Sequence, residues 1–168
     1  DFNIEKLARD LEKITDGLED PIIIGHSMGG MTALKYSTKS ENYSKLILFG
    51  TCASTPRPEH RSPSFFLEQL NEMDRGKWAE MIADNYAEDS PRFRKATIRE
   101  LSEAEEMPLR NGLEAMIEYD LRKQLKSEEA LVVGGEKDGA IPEEQINELT
   151  DLLECRKIMI NSSHLMLQ

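Results

Sequence analysis

The segment Ile22-Ile23-Ile24-Gly25-His26-Ser27-Met28-Gly29-Gly30 constrains this chain more than any other. Three branched apolar residues in a row read as a short strand buried on both faces, as in parallel sheets. The glycines around Ser27 allow a tight turn from that strand straight into a helix. A serine at such a turn, in the pattern Gly-x-Ser-x-Gly, is held with its hydroxyl exposed, which is the geometry of a nucleophile. The segment thus predicts a local fold and a chemistry together. Its spacing is short enough to recur by chance, so the weight falls on what surrounds it.

The surroundings alternate between strand and helix. Ile4, Leu7, Leu11, Ile14 and Leu18 recur every three or four residues and predict a first helix with one apolar stripe. Gly17 and Asp20-Pro21 end it. After the turn, Met28 to about Ser40 reads as a helix and Leu46–Phe49 as a second buried strand. Ala130–Val133 reads as a third strand, and Arg156–Ile160 as a fourth, weakened by Arg156 and Lys157. Between these two, Ile146, Leu149, Leu152 and Leu153 mark a helix over Glu143–Leu153, with Pro142 suited to its first turn. This alternation predicts an α/β fold with a parallel sheet of about four strands. Residues 55–126 break it. No strand pattern occurs there, and four amphipathic helices fit instead, punctuated by Pro63, Gly76, Pro91 and Pro108. Trp78, Met81, Ile82 and Tyr86 form one apolar face, and Leu109, Leu113, Met116 and Ile117 another. The expected organisation is a core of residues 1–54 and 127–168, with a helical cap of residues 55–126 inserted between the second and third strands. The acidic cluster Glu103–Glu106 reads as a solvated helix end.

Composition narrows the partners. The formal net charge of −11 argues against nucleic acid or an anionic membrane, both of which need clustered Lys and Arg. No apolar run approaches the roughly 20 residues of a membrane span, and no signal peptide is visible. Cys52 and Cys155 lie far apart, in no metal or redox spacing, and read as buried free thiols in a reducing, cytoplasmic setting. The chain opens on Asp1 and goes straight into a helix, which predicts a piece of a longer protein.

A serine near neutral pH needs a base to take its proton and an acid to orient that base. The chain has three histidines. His26 adjoins Ser27 within the turn and should point away from it. His60 lies in the proline-rich start of the cap, where a surface position is expected. His164 follows the fourth strand, and the carboxyl ends of strands are where an open α/β sheet builds its site. His164 is the expected base. Asp138 follows the third strand through Gly134-Gly135-Glu136-Lys137 and is the expected acid, with Glu136 as its nearest rival. Asp120 fits a helix cap or salt bridge better, Asp10 looks structural, and Asp151 belongs to an outer helix face.

These features together resemble the α/β-hydrolase superfamily. Ile-Ile-Ile-Gly-His-Ser-Met-Gly-Gly has the form of its esterase and lipase elbows, and Leu7-Ala8-Arg9-Asp10-Leu11 is similar to the helix that leads into the elbow strand. Val132–Pro142 looks like its acid loop and Ser163-His164 like its histidine loop, with Ser163 where Gly is usual. The cap is similar to that of small carboxylesterases of the pimeloyl-carrier-protein methyl ester esterase type, with Gly112–Met116 and Asp120-Leu121-Arg122 matching the segment that rejoins the sheet. The same plan resembles proline iminopeptidases, enol-lactonases and carbon–carbon bond hydrolases. The resemblance implies a Ser27–His164–Asp138 triad, an acyl-enzyme, an oxyanion donor in the Met28 N–H, a small ester or acyl substrate, and no cofactor or metal. It also implies strands before Asp1, a second oxyanion donor among them, and a helix after Gln168, so that the elbow strand would form an exposed apolar edge. A non-catalytic binding module on the same fold is the alternative from a different class.

Overall fold

The computed structural model describes residues 3–57, 63–87 and 90–167, so His60 and its expected surface position lie outside the described residues. Seven helices and four strands occur among the described residues. In chain order they are α1 (Ile4–Thr15), β1 (Ile22–His26), α2 (Met28–Ser37), β2 (Lys45–Phe49), α3 (Pro63–Glu72), α4 (Arg75–Tyr86), α5 (Pro91–Glu103), α6 (Glu106–Ile117), β3 (Ala130–Gly135), α7 (Glu143–Leu153) and β4 (Arg156–Ile160). The strands form one parallel sheet in the order β1-β2-β3-β4. Parallel neighbours share a direction, so all four carboxyl ends lie along one edge of the sheet.

The core is built from the apolar runs. Leu46, Leu48 and Val132 of the central strands are fully buried, together with Met31, Leu34 and Tyr36 of α2 and Ile146, Leu149 and Leu153 of α7. Helix α1 packs on α2, and its buried face runs through Ile4, Ala8 and Thr15. The Thr15 hydroxyl is 3.0 Å from the Tyr36 hydroxyl, which gives a buried polar pair its partner. Helices α3 to α6 lie between β2 and β3 in the chain and assemble a second apolar cluster around Phe66, Trp78, Ile82 and Leu113. The Trp78 indole N–H donates to the Phe66 carbonyl at 2.9 Å, so a large buried ring keeps its polar edge satisfied. Tyr86 and Met116 pack against both clusters and join the cap to the sheet.

Several expectations are corrected. Helix α2 stops at Ser37 rather than about Ser40. The Ser37 and Thr38 hydroxyls take the Leu34 and Lys35 carbonyls at 3.0 and 2.8 Å, a local bonding pattern that competes with helix propagation. Strand β1 runs on to His26, which is a strand residue rather than part of the turn. Ile22 and Ile24 are 57% and 62% exposed, so β1 is buried on one face only: α2 packs on β1, whereas α7 packs on β3 and β4. The stripe of α1 also ends early: Ile14 is exposed, and Leu18, also exposed, lies beyond the helix. Gly76 is not a break but sits in the first turn of α4, which Asp74 caps by accepting from the Gly76 and Lys77 N–H groups. Cys52 is buried as expected, whereas Cys155 is only half-buried.

This distribution of burial makes a direct comparison. Ile146→Ala should cost about 2–5 kcal/mol in urea unfolding, since it opens a cavity under the sheet. Ile24→Ala, on the open face of β1, should cost less than about 1 kcal/mol.

Candidate active site

Ser27 has φ 52° and ψ −121°, a conformation that costs a non-glycine residue on the order of 1–3 kcal/mol. The turn is held from all sides. The Ser27 N–H donates to the Phe49 carbonyl at 2.9 Å, which ties the elbow to the end of β2. The Ser27 carbonyl accepts from the Gly30 and Met31 N–H groups at 2.9 and 3.1 Å and from the Thr51 hydroxyl at 2.9 Å. A Cβ on Gly25 would lie 2.7 Å from the Gly29 carbonyl oxygen, and one on Gly30 would lie 2.6 Å from the Thr51 side chain. A Cβ on Gly29 would meet nothing within 4 Å. The steric demand of the glycine-rich segment therefore falls on Gly25 and Gly30 rather than on Gly29. Met28 opens α2, so its N–H has no intrahelical acceptor and stands at the positive end of the helix dipole.

The structure brings Ser27, His164 and Asp138 together. His164 Nε2 is 2.9 Å from Ser27 Oγ. His164 Nδ1 is 2.9 Å from Asp138 Oδ2 and 3.0 Å from Oδ1. A carboxylate can only accept, so Nδ1 carries the proton and Nε2 is left to accept from the serine hydroxyl. Asp138 Oδ1 also accepts from the Ala140 and Ile141 N–H groups, at 2.8 and 2.9 Å. The side chains of His164 and Asp138 are 1% and 0% exposed, so this polar chain is dry except at its serine end. Three strand ends supply it: Ser27 follows β1, Asp138 follows β3 and His164 follows β4.

The other candidates lie elsewhere. Glu136 is exposed and contributes its main-chain N–H to the Ile160 carbonyl at 2.8 Å. Asp120 pairs with Arg122, whose hydrogen bonds pull its carboxyl down to about 2. Asp10 pairs with Lys13, and Asp151 is exposed. No group of three or more His, Cys, Asp or Glu among the described residues is placed to hold a metal ion, and no described helix is long and apolar enough to cross a membrane.

Three neighbours of the site escape sequence reasoning. Gly50, just after β2, has φ 47°, and a Cβ there would lie 3.1 Å from Asp138 Oδ2 and 3.2 Å from His164 Nδ1. The chain must therefore pass this point without a side chain. A glycine directly after a strand is the signal that could have marked it. Tyr86, expected as part of an apolar helix face, lays its ring 4.7 Å from that of His164. Burial pushes its phenol up to about 12, so it stays protonated. His26 also lies close, with its ring 4.9 Å from that of His164. In front of Ser27 a narrow cavity of about 30 Å³ is lined by Phe66, Ile82, Tyr86, Leu113, Met116 and Ile141. Among the described residues no charged side chain lines it.

The model of the alpha/beta hydrolase family matches residues 1–168. The chain belongs to that family. Curated protein sequences gave no match. Among solved structures, an esterase from Exiguobacterium antarcticum is similar at 23% identity and a TM-score of 0.84, over 98% of this chain and 68% of the other. An enol-lactonase from Burkholderia xenovorans LB400 is similar at 21% identity and a TM-score of 0.80, over 97% and 66%. A bromoperoxidase from Bacillus anthracis is similar at 19% identity and a TM-score of 0.80, over 96% and 67%. At these identities the likeness is one of fold, and the chain spans about two thirds of the length of each.

The steric account of the elbow is open to measurement. Gly25→Ala should lower stability by about 1–3 kcal/mol or more, because backbone is the obstacle. Gly50→Ala should cost a similar amount. Gly29→Ala, although within the motif, should be neutral or stabilising by up to about 1 kcal/mol. Thermal unfolding of the three variants checks the order.

Proposed function

We propose that this chain carries the nucleophile, base and acid of a serine hydrolase that cleaves a carboxylic ester through an acyl-enzyme. The observation that carries the reading is the unbroken line from Ser27 Oγ through the His164 ring to Asp138, with each contact between 2.9 and 3.0 Å. A purely binding role needs none of the three residues in this alignment.

The steps follow from the donor and acceptor roles. Ser27 Oγ attacks the ester carbonyl carbon as its proton passes to His164 Nε2. Asp138 faces the imidazolium so formed and holds its Nδ1–H. The carbonyl oxygen becomes an oxyanion, and the Met28 N–H, at the start of α2, is the donor this chain offers it. His164 then gives its proton to the departing alkoxide, which leaves as an alcohol. A water then attacks the acyl carbon as its proton passes to His164 Nε2, the bond to Ser27 Oγ breaks, His164 returns the proton to Ser27 Oγ, and the carboxylic acid departs.

The cavity in front of Ser27 favours a small, uncharged acyl or alcohol group. Its walls are apolar, and an unpaired charge placed there would lose its hydration with nothing to replace it. Lactones are cyclic esters and fall within the same chemistry, as the fold likeness to an enol-lactonase leaves room for.

A fluorophosphonate should label the protein at Ser27, and Ser27→Ala should abolish labelling and lower ester turnover by about 10⁵- to 10⁶-fold. A panel of acetyl, butyryl and long-chain esters, a lactone, a methyl ester of a long dicarboxylic acyl chain and an aminoacyl-proline amide should show highest kcat/KM for the short uncharged esters. Labelling unchanged in Ser27→Ala, or none in the folded protein, would sink the reading and leave the binding module in its place.

A further inference from the structure

His26 has no part in the proton relay, yet it is built into the site. It is the last residue of β1 and lies in register with Phe49 of β2, so its backbone is fixed by the sheet. Its Nε2 is 2.8 Å from the backbone carbonyl of His164, 138 residues further along the chain. A carbonyl only accepts, so Nε2 must carry the hydrogen, and the ring is the Nε2–H tautomer. Burial is the main influence on this ring and lowers its pKa, which keeps it neutral near pH 7. A neutral ring 4.9 Å away does not oppose the positive charge that His164 takes up in the reaction.

The segment that carries His164 depends on such ties, since it belongs to no helix or strand. The Lys137 N–H donates to the Ser162 carbonyl at 3.1 Å, and the Leu165 N–H donates to the Tyr86 carbonyl at the end of α4 at 3.2 Å. The His164 carbonyl accepts locally from the Met166 N–H at 2.9 Å and, across the fold, from His26. The last of these joins the residue before the nucleophile to the residue that must face the nucleophile. We propose that His26 is a positioning residue, whose Nε2–H holds the main chain of His164 so that the imidazole stays aligned between Ser27 and Asp138. This rests on the serine hydrolase reading for its catalytic consequence, though not for the bond itself. A residue on a strand end is a stiff support, and an error of about 1 Å in a base costs on the order of 100-fold in rate.

The test compares His26→Leu, which keeps the bulk without the donor, with His26→Gln, whose amide N–H reaches to about the place of Nε2. The full chain is used, with two readouts: the rate of fluorophosphonate labelling, and the downfield proton resonance of the His164 Nδ1–H shared with Asp138. His26→Leu should slow labelling about 10- to 100-fold and weaken or abolish the resonance, and ester hydrolysis should fall through kcat with KM unchanged. His26→Gln should keep the resonance and stay within about threefold of the parent rate. If His26→Leu does not fold, His26→Asn, whose amide is too short to reach the carbonyl, takes its place. Equal losses in the Gln and Leu variants, or no change in either, would overturn the proposal. Should the parent itself resist labelling, the serine hydrolase reading fails, and the resonance still decides whether His26 holds His164.

Discussion

Everything in the site hangs from the shared direction of four short strands. A parallel sheet delivers its carboxyl ends to one edge, and here each of three ends carries one polar side chain toward a common point. The fourth end, that of β2, supplies what the others need in order to meet. The Phe49 carbonyl receives the Ser27 N–H, Gly50 leaves room beside Asp138 and His164, and the Thr51 hydroxyl closes on the Ser27 carbonyl. Parallel pairing is thus both the scaffold of the core and the device that fixes the geometry of the site.

The polar chain from Ser27 to Asp138 is expensive to bury, and its surroundings show how the cost is met. A desolvated carboxylate is tolerated only where hydrogen bonds replace its water. Asp138 receives them from two main-chain N–H groups of its own loop and from His164. The His164 ring lies 4.9 Å from that of His26 and 4.7 Å from that of Tyr86, centre to centre, and the His164 carbonyl accepts from His26 and from the Met166 N–H. Ser27 holds a strained backbone that four hydrogen bonds keep in place. Little conformational freedom remains to be lost when a substrate arrives, which is what preorganisation requires.

Much of this was legible in the sequence, for physical reasons. Strands buried in a parallel sheet need uninterrupted branched apolar residues, so Ile22–Ile24, Leu46–Phe49 and Ala130–Val133 stand out against their polar flanks. Residues that follow strands fall on the functional edge, which marks Asp138 and His164, while Gly-x-Ser-x-Gly marks Ser27. The parts that escaped depend on contacts between distant segments. Nothing local distinguishes a histidine that holds the main chain of another 138 residues away, and an apolar helix face does not reveal that Tyr86 leans on His164. Apolar strands also look alike whether central or at the edge, so periodicity reads Ile22–Ile24 as doubly buried, and only the family resemblance leads to the exposed apolar edge that β1 forms.

That edge bears on the site. β1 pairs with β2 on one side and with no described strand on the other, and its Ile22 and Ile24 are exposed. An unpaired apolar edge is the part of a sheet most prone to fray or to recruit another strand. The same strand carries His26 and leads directly into Ser27, so an outermost strand of this sheet bears residues with tight positional demands. The bonds from Ser27 to Phe49, and from His26 to His164, counter this by tying the end of β1 to β2 and to the segment after β4. Local opening of β1 would break both ties at once. The alignment of Ser27 with His164 therefore depends on the pairing of β1 with β2 as well as on the triad's own hydrogen bonds.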